Sequence, residues 1–196
     1  MIDYKGESLN YKRSGKSLYF VFGLGLVVVF LVLAAQFESY VHPFVIMLTV
    51  PLAMAGALAG LYLLGGTLNV YTQIGLIMLV GLASKNGILI VEFTNQLRDK
   101  GVEFRQAIIE ASSLRLRPII MTSVTAIAGA VPLVLSSGAG SETRVAIAIV
   151  IMSGVASSTL FTLFIVPVAY SLLAGKTGSP GDVRRKLEKE EANAGG

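Results

Sequence analysis

The chain has 196 residues, of which 54% are hydrophobic and only 14% charged, and its mean hydropathy is +0.71. Soluble domains carry about 25% charged residues, so the composition places the chain in the membrane class and excludes an ordinary soluble domain. With no cysteine and one histidine, His42, it offers no disulfide, no thiolate metal site and no protein-only zinc site. The net charge of +4 is no nucleic-acid signal, because the basic residues lie in short loops and tails beside apolar runs, where they set topology.

The fold class expected is an all-α membrane protein with five transmembrane helices and an interfacial amphipathic helix. Residues 1–17 are polar and mixed in charge and read as a tail, or as the end of a larger domain. Met1 is followed by polar residues, so no cleavable signal peptide is expected. The first apolar run covers 18–37. About 20 helical residues suffice for the roughly 30 Å hydrocarbon core. Tyr19 and Phe37 sit where interfacial aromatics are expected.

The second span is expected over 43–64. Pro43 suits a first helical turn, whereas Pro51 lies inside the run and predicts a kink. Gly56 and Gly60, with Ala53 and Ala57, repeat a small residue every fourth position, a pattern that permits close helix contact. The pattern speaks of packing, not chemistry. Gly65-Gly66-Thr67 ends this span.

The third span, 72–93, carries the unusual residues. Lys85 and Asn86 stand near the middle of the run Gly75 to Phe93. A lysine at the centre of a membrane helix costs about 2.5–3.5 kcal/mol on insertion scales. A partner charge, a water-filled cavity or ion transport can justify that cost. Snorkelling along the aliphatic stem suits residues near helix ends, and Lys85 has ten residues before it in the run and eight after. A core helix in a soluble protein conflicts with the rest of the chain.

Residues 94–117 gather Arg98, Lys100, Arg105, Arg115 and Arg117. Phe104, Ala107, Ile108, Ala111 and Leu114 recur at helical spacing among polar residues, so an amphipathic helix is expected over 98–115. An interfacial connector is the plain reading, and a partner-binding helix the functional alternative.

The fourth span is expected over 118–136, opened by Pro118, with Pro132 as a second kink site. The hydroxyls of Thr122, Ser123 and Thr125 can bond back to the preceding turn. The glycine-rich turn Ser136 to Ser141 lacks the Lys-Ser or Lys-Thr of a phosphate loop. The fifth span covers 145–173, with Gly154, Ala156, Ser157 and Ser158 as a small-residue face. The tail 174–196 is polar and charged.

Five spans put the two ends on opposite sides. The 94–117 connector and the C-terminal tail hold more basic residues than the other side, so the positive-inside rule makes the C-terminus cytoplasmic and the N-terminus periplasmic. The four basic residues Lys5, Lys12, Arg13 and Lys16 oppose this locally. A translocated domain ending in residues 1–17 resolves the conflict, since long domains cross largely regardless of charge.

No carboxylate in the sequence lies near the middle of a span. The nearest to Lys85 in sequence, Glu92, is about 10 Å along the helix axis. Lys85 is therefore either neutral through desolvation or paired with a group outside this sequence, and the second is the favoured reading. No nucleophile–base pair or His/Asp/Glu cluster falls within the spans, so an intramembrane enzyme is not indicated.

Four stretches carry a family resemblance: Phe30-Leu-Val-Leu-Ala-Ala-Gln-Phe-Glu-Ser39, Gly81-Leu-Ala-Ser-Lys-Asn-Gly-Ile-Leu-Ile-Val-Glu-Phe93, Leu114-Arg-Leu-Arg-Pro-Ile-Ile-Met-Thr-Ser123 and Pro132-Leu-Val-Leu-Ser-Ser-Gly-Ala-Gly140. In order and spacing they resemble the last five spans of resistance-nodulation-division (RND) efflux transporters, the multidrug pumps of the AcrB and MexB type. Tyr4-Lys-Gly-Glu-Ser8 resembles the family's exit from its second periplasmic portion. The resemblance implies a drug/proton antiporter of the bacterial inner membrane, driven by the proton-motive force without a bound cofactor. It implies a homotrimer working with a periplasmic adaptor and an outer-membrane channel. It also implies a proton relay that includes Lys85, Thr122 and Arg115, with Asn86 beside the lysine. The family's carboxylate pair and drug-binding regions have no counterpart in these residues, so the chain is expected to be the C-terminal part of such a pump. The alternative is a non-transporting remnant or accessory membrane protein that packs through its small-residue faces.

Overall fold

A computed structural model describes residues 7–175, with side chains described from residue 20. Six helices follow one another: α1 Glu7–Phe37, α2 Val41–Met47, α3 Thr49–Leu63, α4 Val70–Asp99, α5 Phe104–Val134 and α6 Ser141–Leu173. α2 and α3 together make one crossing, Val41–Leu63, so five segments are long and apolar enough to cross a membrane. Residues 1–6 of the expected polar segment and 176–196 of the expected tail lie outside the described residues. Residues 7–17, read above as a tail, belong to α1.

α4 and α6 form the centre of the bundle, and each packs on α2, α3 and α5. The burial follows. Of the apolar stretch of α4, 56% is buried within the bundle, against 11% for α1, which packs mainly on α2 and α4 among the described residues. The outward side chains of α1, among them Phe20, Leu24, Val28 and Leu31, are large, apolar and exposed, as a lipid-facing surface requires.

The close packing rests on missing side chains. A Cβ on Gly56 or Gly60 of α3 would overlap Ser157 or Ser153 of α6. Ala53 and Ala57, on the same face, are fully buried. In return the Ser153 hydroxyl donates to the Ile149 carbonyl of its own helix at 2.7 Å and reaches the Ala57 carbonyl at 3.5 Å. Without a hydrophobic drive between helices in lipid, such backbone approach maximises dispersion contacts. Gly154 gives the same clearance to Leu79 of α4.

Helix boundaries have local causes. The kink expected from Pro51 appears as the break at Leu48: the proline lacks an N–H, and its ring crowds the carbonyl of Met47, four residues earlier. Asn69 begins α4 with a reciprocal cap. Its Oδ1 accepts from the Thr72 N–H at 2.9 Å, and the Thr72 Oγ1 accepts from the Asn69 N–H at 2.8 Å. α4 ends in a Schellman turn, with Gly101 at φ 88° and the Val102 N–H donating to the Leu97 carbonyl at 3.1 Å.

One expectation fails here. The amphipathic helix over 98–115 is not a separate element: Arg98 and Asp99 end α4, and residues 104–115 run without a break into the fourth span as α5. Pro118 lies inside α5 instead of opening a helix. Its fixed φ is compatible with a helix, so it removes one backbone bond without ending the element. Strong helix formers before it, Leu114-Arg-Leu-Arg117, carry the helix through.

Candidate functional site

The middle of α4 turns Leu82, Lys85 and Asn86 to one side, because residues three and four apart share a helix face. Opposite them α5 presents Thr122 and Ser123, and α6 presents Ser158. These side chains line a cleft of about 70 Å³. That is room for about two waters at about 30 Å³ each. Lys85 is exposed on the bundle surface, whereas Asn86 is buried. Among the described residues no carboxylate lines the cleft. The lysine thus faces hydroxyls and an amide but no opposite charge there.

The hydroxyls divide into two kinds. Thr122 Oγ1 donates back to the Ile119 carbonyl at 3.0 Å and Thr125 Oγ1 to the Met121 carbonyl at 2.8 Å, so both satisfy themselves locally. Ser123 instead meets Thr159 of α6 at 2.6 Å. Thr159 gives its proton to the Val155 carbonyl at 2.7 Å, which leaves Ser123 as the donor of the pair. Ser158 Oγ is buried and has no partner among the described residues.

The structure brings Lys85, Asn86 and Thr122 into one cleft and leaves Arg115 outside it. Arg115 precedes Thr122 by seven residues, about 10 Å along α5. Its guanidinium carbon lies 4.4 Å from the centre of the Phe93 ring, a cation–π contact between α5 and α4. Sequence reasoning did not single out Ser158 and Ser123 as cleft residues. Both lay in stretches noted for small or hydroxyl side chains, but only the packing of three helices shows which ones converge.

A second polar cluster was not anticipated. The Tyr170 hydroxyl of α6 donates to Asn95 Oδ1 at 2.5 Å and accepts from Arg98 Nη1 at 2.9 Å. The Tyr170 ring stacks between His42 and Phe104, at centroid distances of 5.5 and 5.8 Å. His42 is fully buried, and neither ring nitrogen has a partner among the described residues. This cluster fastens α2, α4, α5 and α6 together. The sequence separations are over seventy residues, so no local pattern announces it.

Five membrane-length helices among the described residues, three of which line a lysine-bearing cleft, define a multi-pass helical membrane protein. Residues 1–174 match the model of the AcrB/AcrD/AcrF family, and the chain belongs to that family of RND transporters. It is 45% identical over 179 residues to an uncharacterized transporter of Haemophilus influenzae, covering 88% of this chain and 17% of the relative. It is 42% identical over 192 residues to the toluene efflux pump membrane transporter TtgB of Pseudomonas putida, covering 96% of this chain and 18% of that protein. To the multidrug resistance protein MdtF of Escherichia coli K12 it is 43% identical over 172 residues, 86% of this chain and 17% of MdtF. The chain thus spans less than a fifth of the length of these curated relatives.

Proposed function

We propose that this chain supplies the lysine side of the proton relay in a proton-driven multidrug efflux pump, a drug/proton antiporter. The observation that carries the reading is the convergence of Lys85, Asn86 and Thr122 in one cleft without a carboxylate. The complementary acids come from pump segments outside this sequence. While they are ionised, Lys85 pairs with them. A charge pair at 4 Å is worth about 4 kcal/mol at an effective dielectric of 20, enough to bias one helix arrangement over another by orders of magnitude. Protonation of the acids removes that attraction, frees Lys85 and lets α4 and α5 shift. Asn86 and Thr122 hold the lysine's position through polar contacts or a bridging water. Arg115 acts from the next turns of α5, held by Phe93.

Family membership supports the wider setting. In this reading the chain lies in the bacterial inner membrane with its C-terminus cytoplasmic, and the pump is a homotrimer with a periplasmic adaptor and an outer-membrane channel. The energy source is the proton-motive force, and the chain is no enzyme.

The test is efflux by the complete transporter carrying Lys85→Ala, with membrane abundance measured alongside. Loss of drug extrusion at normal abundance supports the relay. Unchanged extrusion overturns it and leaves a chain that only packs through its small-residue faces.

A further inference from the structure

Serine and threonine hydroxyls in an apolar helix ordinarily turn back to a carbonyl of the preceding turn. On α5, Ser112, Thr122 and Thr125 do so, toward Ile108, Ile119 and Met121. Ser123 does not. Its hydroxyl leaves α5 and meets Thr159 of α6 at 2.6 Å, and Ser123 itself is only 5% exposed. Because the Thr159 proton goes to the Val155 carbonyl of its own helix, the bond between the helices runs from Ser123 to Thr159. The stretch of α5 around it is lightly held by packing: from Ile119 to Val134 the buried residues are Ile119, Ser123 and Ala130. In lipid, helices join through packing and polar contacts without a hydrophobic drive between them. One hydrogen bond therefore weighs heavily on how α5 is turned against α6.

The bond has a consequence for the cleft because of where Ser123 stands. Successive residues of a helix point about 100° apart, so fixing Ser123 on α6 also fixes the direction of Thr122 beside it. Thr122 lines the cleft with Lys85. Its Oγ1 donates to the Ile119 carbonyl, so toward the cleft it presents lone pairs. Lone pairs are what an ammonium freed from its acids requires. Among the described residues Lys85 is the charged side chain that lines this cleft. The nearest others along α4 and α5 are Glu92 and Arg117, each about 10 Å along its helix from Lys85 and Ser123 respectively. α6 carries no charged residue after Arg144.

We infer that Ser123 is a positioning residue of the relay: through its bond to Thr159 it holds α5 turned so that the Thr122 hydroxyl receives Lys85 when the acids are protonated. The inference rests on the relay reading above. Without the bond α5 is free to turn, the proton-loaded arrangement loses support, and more protons are needed to reach it.

The experiment is drug efflux by the complete transporter in vesicles, per amount of pump, against the imposed proton gradient. Ser123→Ala and Thr159→Val should each need about two- to tenfold more protons for half-maximal efflux, the weight of one neutral hydrogen bond, at an unchanged KM for drug. The double variant should be no worse than the more affected single one, since both remove the same bond. Thr159→Ser keeps the accepting hydroxyl and should retain the parental gradient dependence. If packing alone mattered, Thr159→Val, which keeps the shape, would be the milder change. Parental gradient dependence in Ser123→Ala overturns the assignment. So do additive shifts in the double variant, or a Thr159→Ser shifted as far as Thr159→Val. Where Ser123→Ala fails to reach the membrane, the two Thr159 variants decide. Lys85→Ala in the same vesicles separates the two readings. Normal efflux there overturns the relay and the role of Ser123 with it, whereas abolished efflux beside a parental Ser123→Ala removes Ser123 alone.

Discussion

Gly56 of α3 lies so close to Ser157 of α6 that a single added carbon would overlap the serine side chain. The contact between these two helices is therefore limited by backbone approach. Gly56→Ala should lower the thermal unfolding midpoint of the detergent-solubilised chain, with an overpacking cost of about 1–3 kcal/mol. Adding Ser157→Gly should return most of that loss, because it removes the atoms the new methyl meets. Additive losses in the double variant would show that the two positions do not share one contact.

Tyr170 ties α6 to α4 through two hydrogen bonds at one hydroxyl. Tyr170→Phe keeps the ring stack with His42 and Phe104 but strips Asn95 Oδ1 of its donor and Arg98 of this acceptor. Leaving a buried acceptor unsatisfied costs about 1–3 kcal/mol, so the variant should unfold at lower temperature or lower denaturant than the parent. Tyr170→Leu should cost more, since it loses the stack as well. Equal stability of parent and Tyr170→Phe would mean that the hydroxyl contributes nothing to holding the bundle.

Glu38 ends α1 with φ at 48°, a left-handed conformation that side chains other than glycine and asparagine adopt at a cost of about 1–2 kcal/mol. Glu38→Gly should therefore raise stability by up to about 1 kcal/mol, the rest being offset by the entropy of the unfolded glycine. A Glu38→Val variant, β-branched at the same φ, should be less stable than the parent. The readout is the thermal midpoint of the three proteins in the same detergent.

Thr122 tests the relay reading without touching charge. In the complete transporter, Thr122→Ser keeps a hydroxyl beside Lys85 and should retain most efflux. Thr122→Val keeps the shape and removes the hydroxyl, and should reduce efflux by about tenfold or more, the weight of one lost hydrogen bond at a charged group. Drug accumulation in cells of matched transporter abundance separates the two. Equal efflux by both would remove Thr122 from the relay.

Much of the fold was legible because membrane insertion is a local problem. Each span must hide its own backbone polar groups, so apolar length alone reveals it. The repeat of Gly56 and Gly60 likewise announced a close contact, although not that its partner was the serine face of α6. The reading failed where two local signals met on one helix. The basic, amphipathic residues before Pro118 and the apolar ones after it looked like separate elements, yet the backbone treats them as one continuous α5.

The sequence by itself determined the class of the protein, its five crossings and the presence of an intramembrane lysine that needs a reason. Those follow from composition, length and the energy of burying charge, which depend on one segment at a time. Only the tertiary structure decided that Lys85 shares its cleft with Thr122 and Ser158, that Arg115 stands apart on Phe93, and that Tyr170 joins Asn95 and Arg98. Those relations depend on how helices rotate and approach one another. In this bundle that is set by steric clearance between residues about a hundred positions apart, such as Gly56 and Ser157.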